Sequence, residues 1–366
     1  MLLHLTLAMQ GGGMPSSGPW SGGLPSWRPG SENTEPRGGL DAALLRGIAA
    51  YRQHPWRRTV SEPACIWAEG GSRVLDYTAA GGGAGVPVLF VPSLVNRAYI
   101  LDLMPGHSMM RWLAGRGVRP LLLDWGWPEE VERGFGLSEY VAGRLERALE
   151  AVGGPVVLAG YCMGGLLAVA AAGRRPELVR GLALLATPWD FHAGVAAPER
   201  VAGVVPGLEA VMAASRTLPV DAIQALFSMV EPGGVAAKYR AFGAMDQGGA
   251  AAERFVAVED WLNDGVPLAA PVARETLGGW YGTNSPARGT WRVEGAVVAP
   301  ALLRMPCFVA VPDRDRIVPP EGALALAEVI PGAVVHRPRA GHIGMAAGPR
   351  AESVLWEPLL GWLAGI

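Results

Sequence analysis

The run Pro155-Val156-Val157-Leu158-Ala159-Gly160-Tyr161-Cys162-Met163-Gly164-Gly165-Leu166-Leu167-Ala168-Val169-Ala170 decides the fold. Its first half is a short, continuously apolar stretch of buried-strand type, and its second half is an apolar helix. Between them the chain must turn abruptly, with Cys162 at the apex. Gly160 and Gly164 leave room for a sharp backbone and a close helix. A small buried core cysteine also fits the apolarity, but the glycines on both sides favour an apex. There the thiol is pushed up over a helix N-terminus, whose positive potential, with a histidine nearby, favours the reactive thiolate.

Composition sets the frame for that element. The chain has 366 residues, enough for one enlarged α/β domain or two smaller ones. Charged residues make up 17% and the formal net charge is −2, so no basic surface for nucleic acid is expected. Cys65, Cys162 and Cys307 are too few and too scattered for a disulfide framework or a metal site, which fits a reducing compartment. From Ala151 to Gly173 there is no charged residue. Pro155 and the glycines break that run into strand and helix, so no transmembrane segment is expected. Leu2 to Met9 is apolar but short and lacks a basic start, a poor match to a signal peptide.

Working outward, residues 1–39 read as a disordered tail rich in glycine, proline and serine. Residues 40–191 read as the first part of an α/β core. It opens with a helix over Leu40 to Gln53 and an antiparallel pair, Ala64 to Glu69 and Arg73 to Tyr77, around Gly70-Gly71. Buried strands follow at Val86 to Val91, Pro120 to Leu123, Val156 to Tyr161 and Leu182 to Ala186. The intervening helices fall at Ile100 to Ala114, interrupted at Pro105, and at Leu137 to Val152. The alternation lapses over 192–288, an alanine-, methionine- and glycine-rich stretch read as an inserted helical cap. It resumes over 289–366, with strands at Cys307 to Val311 and Ala333 to Arg337, and helices at Glu321 to Val329 and Leu355 to Leu363. Strand–helix alternation of this kind predicts a mostly parallel, doubly wound sheet.

The last two strands each run into a chemically loaded loop. One is Pro312-Asp313-Arg314-Asp315-Arg316-Ile317-Val318-Pro319, the other Ala340-Gly341-His342-Ile343-Gly344. Nucleophile elbow, post-strand acid and post-strand histidine, in that chain order, are the pattern of the α/β-hydrolase fold. His342 is expected to take the thiol proton and then to serve the incoming hydroxyl or water as general base. An acid, Asp315 or Asp313 on spacing alone, would fix its tautomer. The oxyanion hole is expected from the backbone N–H of Met163 and one from the loop Pro92 to Asn96, with Val95 as its candidate. His54 and His336 read as surface or packing residues, and nothing promotes His107 or His192.

Several segments, taken together, resemble the polyhydroxyalkanoate synthases, especially the short form that works with a second subunit. Tyr161-Cys162-Met163-Gly164-Gly165 is similar to that family's cysteine elbow. Val95-Asn96-Arg97 followed by Tyr99-Ile100-Leu101-Asp102-Leu103 is similar to its loop and helix after the third strand. Leu123-Asp124-Trp125-Gly126, Asp315 with Ile317-Val318-Pro319, and Gly341-His342-Ile343-Gly344 complete the resemblance, which runs from about Gln53 to the C-terminus. It selects Asp315 over Asp313. It implies transfer of a (R)-3-hydroxyacyl group from coenzyme A to Cys162 and then to the hydroxyl end of a growing polyester, with no cofactor and no metal. It further implies a cytoplasmic location at a polyester granule surface, a second synthase subunit, and a homodimer or hetero-oligomer. Trp261, in Trp261-Leu262-Asn263-Asp264, and Asn96 become candidates for lining the acyl channel, with core packing the competing role for Trp261. Arg316 departs from the family, which has histidine after the catalytic aspartate. It stands to hold the carboxylate ionised or to lure it from His342. An intracellular polyester depolymerase or thioesterase of the same fold, and a noncatalytic granule-associated subunit, are the alternatives.

Overall fold

The computed structural model describes residues 41–78, 85–195, 203–229 and 234–366; the tail expected over 1–39 lies outside them. Eight strands form one sheet: β1 (Ala64–Glu69), β2 (Ser72–Asp76), β3 (Pro87–Val91), β4 (Arg119–Asp124), β5 (Val156–Tyr161), β6 (Val179–Leu185), β7 (Cys307–Ala310) and β8 (Val334–His336). Their spatial order is β1-β2-β4-β3-β5-β6-β7-β8. β1 and β2 are antiparallel to their neighbours, and every other pair is parallel. The expected mostly parallel sheet of an α/β-hydrolase fold with helical insertions is therefore present.

The continuous apolarity of β5 has a direct cause. Side chains alternate across a sheet, and both faces here are covered. Val156 and Leu158 enter one core cluster, Val157 and Ala159 the other. The helix α1 (Ala42–Gln53) precedes the sheet. Along the core follow α2 (Met109–Ala114), α3 (Glu146–Val152) and α4 (Met163–Arg174), the helix that leaves the elbow.

Two expected helices are shorter or less regular than their patterns suggest. The crossover expected over Ile100 to Ala114 is a 3₁₀ turn, Ala98–Asp102, followed only at Met109 by α2. Pro105 is followed by Gly106 at φ 72°, a conformation no helix accommodates. The helix expected from Leu137 begins as a π-helical stretch, Glu139–Leu145, before α3.

After β6 the chain builds α5 (Val205–Ser215), α6 (Val220–Ser228), α7 (Gly234–Gly243) and α8 (Ala250–Asn263), then a short helix Ala270–Arg274 and a π-helical turn Glu275–Gly282. This is the region where alternation lapses. α9 (Pro320–Val329), α10 (His342–Ala347) and α11 (Glu357–Leu363) return to the sheet. Although α1 precedes the sheet in sequence, it packs along α7. The charge-free run is divided between β5, the elbow and α4. Among the described residues no helix is long and apolar enough to cross a membrane.

Candidate active site

Cys162 sits where β5 ends, at φ 56° and ψ −128°, outside the regions non-glycine residues ordinarily occupy. Such strain persists only where the surroundings enforce it. Here they do: the Cys162 N–H donates to the Leu185 carbonyl at 2.8 Å, and its own carbonyl accepts from Gly165 N–H at 2.9 Å. The glycines are required by contact. A Cβ on Gly160 would stand 2.3 Å from Gly165 Cα, and one on Gly164 2.1 Å from the Val91 carbonyl oxygen. Gly164 is hemmed in by the backbone of Val91 and Pro92, which cannot swing aside. Gly164→Ala is therefore expected to lower the unfolding free energy by about 3 kcal/mol or more. Chemical denaturation reads this directly, and an unshifted urea midpoint would show that the elbow is not packed this tightly.

The acid and the histidine come from the two loops singled out above. Backbone bonds stitch these loops together: Asp313 N–H to Pro338 O and Arg314 N–H to Ala340 O, both 3.0 Å. His342 opens α10 and is buried. Its Nδ1 lies 2.6 Å from Asp315 Oδ2, and His342 and Cys162 line the same cleft. Asp315 Oδ1 accepts from the N–H groups of Ile317 and Val318 at 2.9 and 2.8 Å. Both carboxylate oxygens are thus engaged, so Arg316 has not drawn Asp315 from the imidazole. Asp313, the competitor on spacing, is exposed.

Tyr161, just before the apex, completes the mounting. Its ring stacks on His342 at 5.2 Å between centroids, and its hydroxyl donates to the His342 carbonyl at 3.1 Å. Sequence reading gave it no role. The signal available was a bulky aromatic ending an otherwise aliphatic strand.

Burial works against a charged imidazole at this position. The neighbouring charge of Cys162, the hydrogen bond to Asp315 and the charge of Asp315 outweigh it, and the His342 pKa is pushed up from 6.5 to about 10. Anionic sulfur beside imidazolium is the reactive form of a cysteine–histidine pair. A folded-state pKa above the unfolded one stabilises the native state fully below about pH 6.5, and that contribution is lost as the pH climbs through about 10. Removing the sulfur in Cys162→Ala leaves the burial penalty with less to oppose it. His342 is then expected to titrate well below its wild-type value, as read by ¹⁵N-imidazole NMR. An unchanged titration would mean that sulfur and imidazole do not interact. Cys307, by contrast, is buried and its thiol is raised to about 11 by desolvation, an inert environment.

Of the expected oxyanion donors, Met163 occupies the first position of α4, where a backbone N–H has no acceptor within its helix. Val95 N–H points to Ser93 Oγ at 3.3 Å, a long bond that it would have to surrender to an oxyanion. The Val95 carbonyl accepts from Val266 N–H at 3.1 Å, and Asn96 bridges to Gly265, so the loop after β3 is tied to the segment that follows α8. Trp261 is buried, and its indole N–H donates to Arg97 O at 2.7 Å, which fixes the same loop.

A cleft of about 1050 Å³ opens onto Cys162 and His342. Val95, Ile317 and Ile343 line it from the loops at the strand ends, and Val220, Ile223 and Phe227 from α6. Asn96 and Trp261 also reach it, as do Arg316 and, unexpectedly, Tyr51 and Arg52 of α1. No local motif marks those last two. His54, His107, His192 and His336 each use Nε2 on a backbone carbonyl, at 2.9, 2.9, 2.8 and 2.6 Å, and serve packing.

A family model describing the alpha/beta hydrolase fold matches residues 138–349. The poly(3-hydroxyalkanoate) polymerase subunit PhaC of Haloferax mediterranei is 30% identical over 288 residues, which span 76% of this chain and 58% of that protein. The chain thus spans less than two thirds of that relative's length. The subunit of the same name from Synechocystis sp. is 28% identical over 293 residues, 76% of this chain and 78% of that one. Among solved structures, a hydrolase from Oleispira antarctica aligns over 80% of this chain and 94% of its own, at a TM-score of 0.50 and 12% identity, a likeness of fold alone.

Proposed function

We propose that this chain, which belongs to the α/β-hydrolase fold family, is a polyhydroxyalkanoate synthase-like acyltransferase. Its substrate is a (R)-3-hydroxyacyl-CoA, and its work is done at a polyester granule in the cytoplasm alongside a second synthase subunit. The observation that carries the reading is the cysteine at the elbow, facing the same cleft as His342, whose Nδ1 is held by Asp315. The sequence likeness to polymerase subunits supports it.

The chemistry follows from the mounting. The Cys162 thiolate attacks the thioester carbonyl, and the oxyanion forms against the Met163 N–H, at the positive end of α4. As the tetrahedral adduct collapses, the C–S bond to coenzyme A breaks and His342 gives its proton to the departing sulfur. An acyl-cysteine remains, and the imidazole is neutral. It next accepts the proton of the polyester's terminal hydroxyl as that oxygen attacks the acyl-cysteine. Collapse forms the ester, releases the Cys162 sulfur and leaves His342 protonated again. Exchange of one thioester for another is nearly balanced in energy, and the acyl-cysteine stays reactive toward an alcohol. Asp315 holds Nδ1–H throughout, so that the other ring nitrogen faces the reaction.

Water in place of the chain hydroxyl would make the same machinery a thioesterase or depolymerase. Purified protein given 3-hydroxybutyryl-CoA, with and without a partner subunit, distinguishes these outcomes. Release of free coenzyme A together with polymer is expected. Release with only 3-hydroxybutyrate under both conditions would overturn the synthase reading, and an inert protein would leave a noncatalytic granule subunit.

A further inference from the structure

α1 sits against the cap in a way its place in the chain does not require. A Cβ on Gly47 would stand 1.8 Å from the Tyr239 carbonyl oxygen of α7, and one on Gly243 2.8 Å from Gly47 N. The helix ends are pinned as well. Asp41 pairs with Arg240 at 2.5 Å, Tyr51 Oη donates to Asp260 Oδ1 at 2.7 Å, and His54 Nε2 donates to Gln247 O at 2.9 Å. The last turn of α1 is thereby held beside the cleft with Arg52 on its wall.

Arg52 is exposed and makes no hydrogen bond or ion pair with another described residue. The other cations of the cleft differ in this respect. Lys238 is bound to Glu259 at 2.7 Å, and Arg97 lies 3.8 Å from Asp124. Of the cleft carboxylates, Glu259 is thus paired, Asp264 caps the C-terminus of α8, and Asp221 stands on α6. A cation in the last turn of a helix is favoured by the dipole whatever it faces. That explains an arginine at this position, but not the glycine-tight docking that carries it to the mouth of the cleft.

The geometry points to Arg52 as an anchor for the phosphate groups of the acyl-CoA substrate, so that α1 completes the substrate site. This rests on the coenzyme A thioester reading above. A guanidinium meets a phosphate through two parallel N–H bonds, which suits a group that must hold the far end of a long, flexible substrate while the thioester reaches Cys162. Little ordering remains to be done at the protein side, because the helix carrying Arg52 is already fixed.

The test separates the phosphate-bearing end from the reacting end. Wild type, Arg52→Ala and Arg52→Lys are assayed with 3-hydroxybutyryl-CoA and with the N-acetylcysteamine thioester of the same acid, which has no phosphate. Arg52→Ala is expected to raise KM for the coenzyme A thioester about ten-fold with little change in kcat. KM for the truncated thioester should stay put, and Arg52→Lys should recover part of the loss. Calorimetric binding of free coenzyme A to wild type and Arg52→Ala gives a readout independent of turnover. Weaker binding by the variant upholds the anchor even if the protein proves to be no synthase. Equal binding, no detectable binding by wild type, or equal KM shifts on both substrates would overturn it.

Discussion

Cys162→Ala is expected to remove coenzyme A release from 3-hydroxyacyl-CoA by roughly four orders of magnitude or more, since the acyl-enzyme cannot form. The fold should hardly notice. Alanine inherits the same φ of 56° from the enforced turn, and the lost sulfur is a small fraction of the packing around it. A change in unfolding free energy within about 1 kcal/mol is expected. Cys162→Ser is the sharper comparison. A hydroxyl beside His342 is far harder to ionise than a thiol, so the serine variant should fall well below wild type while folding normally. Rates are read by thiol release and stability by thermal melting. Activity surviving in the alanine variant would place the nucleophile elsewhere.

Asp315→Asn is expected to lower kcat about a thousand-fold or more, by the logic of other triads in which the acid is made an amide. Asp315 Oδ2 accepts from His342 Nδ1, and Oδ1 is already held by two backbone N–H groups. An amide whose NH₂ faced Nδ1 would force the wrong tautomer, with the remaining proton aimed at the sulfur. The charge that helps to raise His342 is also lost, so its pKa should fall. Asp313→Asn touches neither loop partner through its exposed side chain and should stay within about two-fold of wild type. The reverse ranking of the two aspartates would show the acid to be misassigned.

The elbow was legible because its requirements are local. Gly160, Tyr161, Cys162 and Gly164 are neighbours in sequence, and the apolar runs on either side state which element each becomes. Strand order could be anticipated only as a class, whereas chain order alone put Asp315 and His342 after late strands. Spacing could not separate Asp313 from Asp315, since two residues in one loop differ only in which side chain the loop turns inward. The oxyanion donors were hard to read for another reason: a backbone N–H belongs to every residue, and Val95 proved to have its own bond to Ser93. α1 was invisible as part of the cleft. Gly47 and Gly243 are far apart in the chain, and nothing in either neighbourhood announces that the two helices touch. Trp261 and Asn96 were noticed for substrate contact. Structure adds that both steady the loop after β3, through Arg97 O and Gly265.

The central claim is that the sulfur of Cys162 carries the acyl group between coenzyme A and its acceptor. Intact and peptide mass spectrometry after rapid quenching of wild type with 3-hydroxybutyryl-CoA tests it most directly. One hydroxyacyl adduct, or a short chain of them, on the peptide containing Cys162 is the expected result, with none on Cys65 or Cys307. Turnover with Cys162 never modified, or with the adduct on another residue, would contradict it.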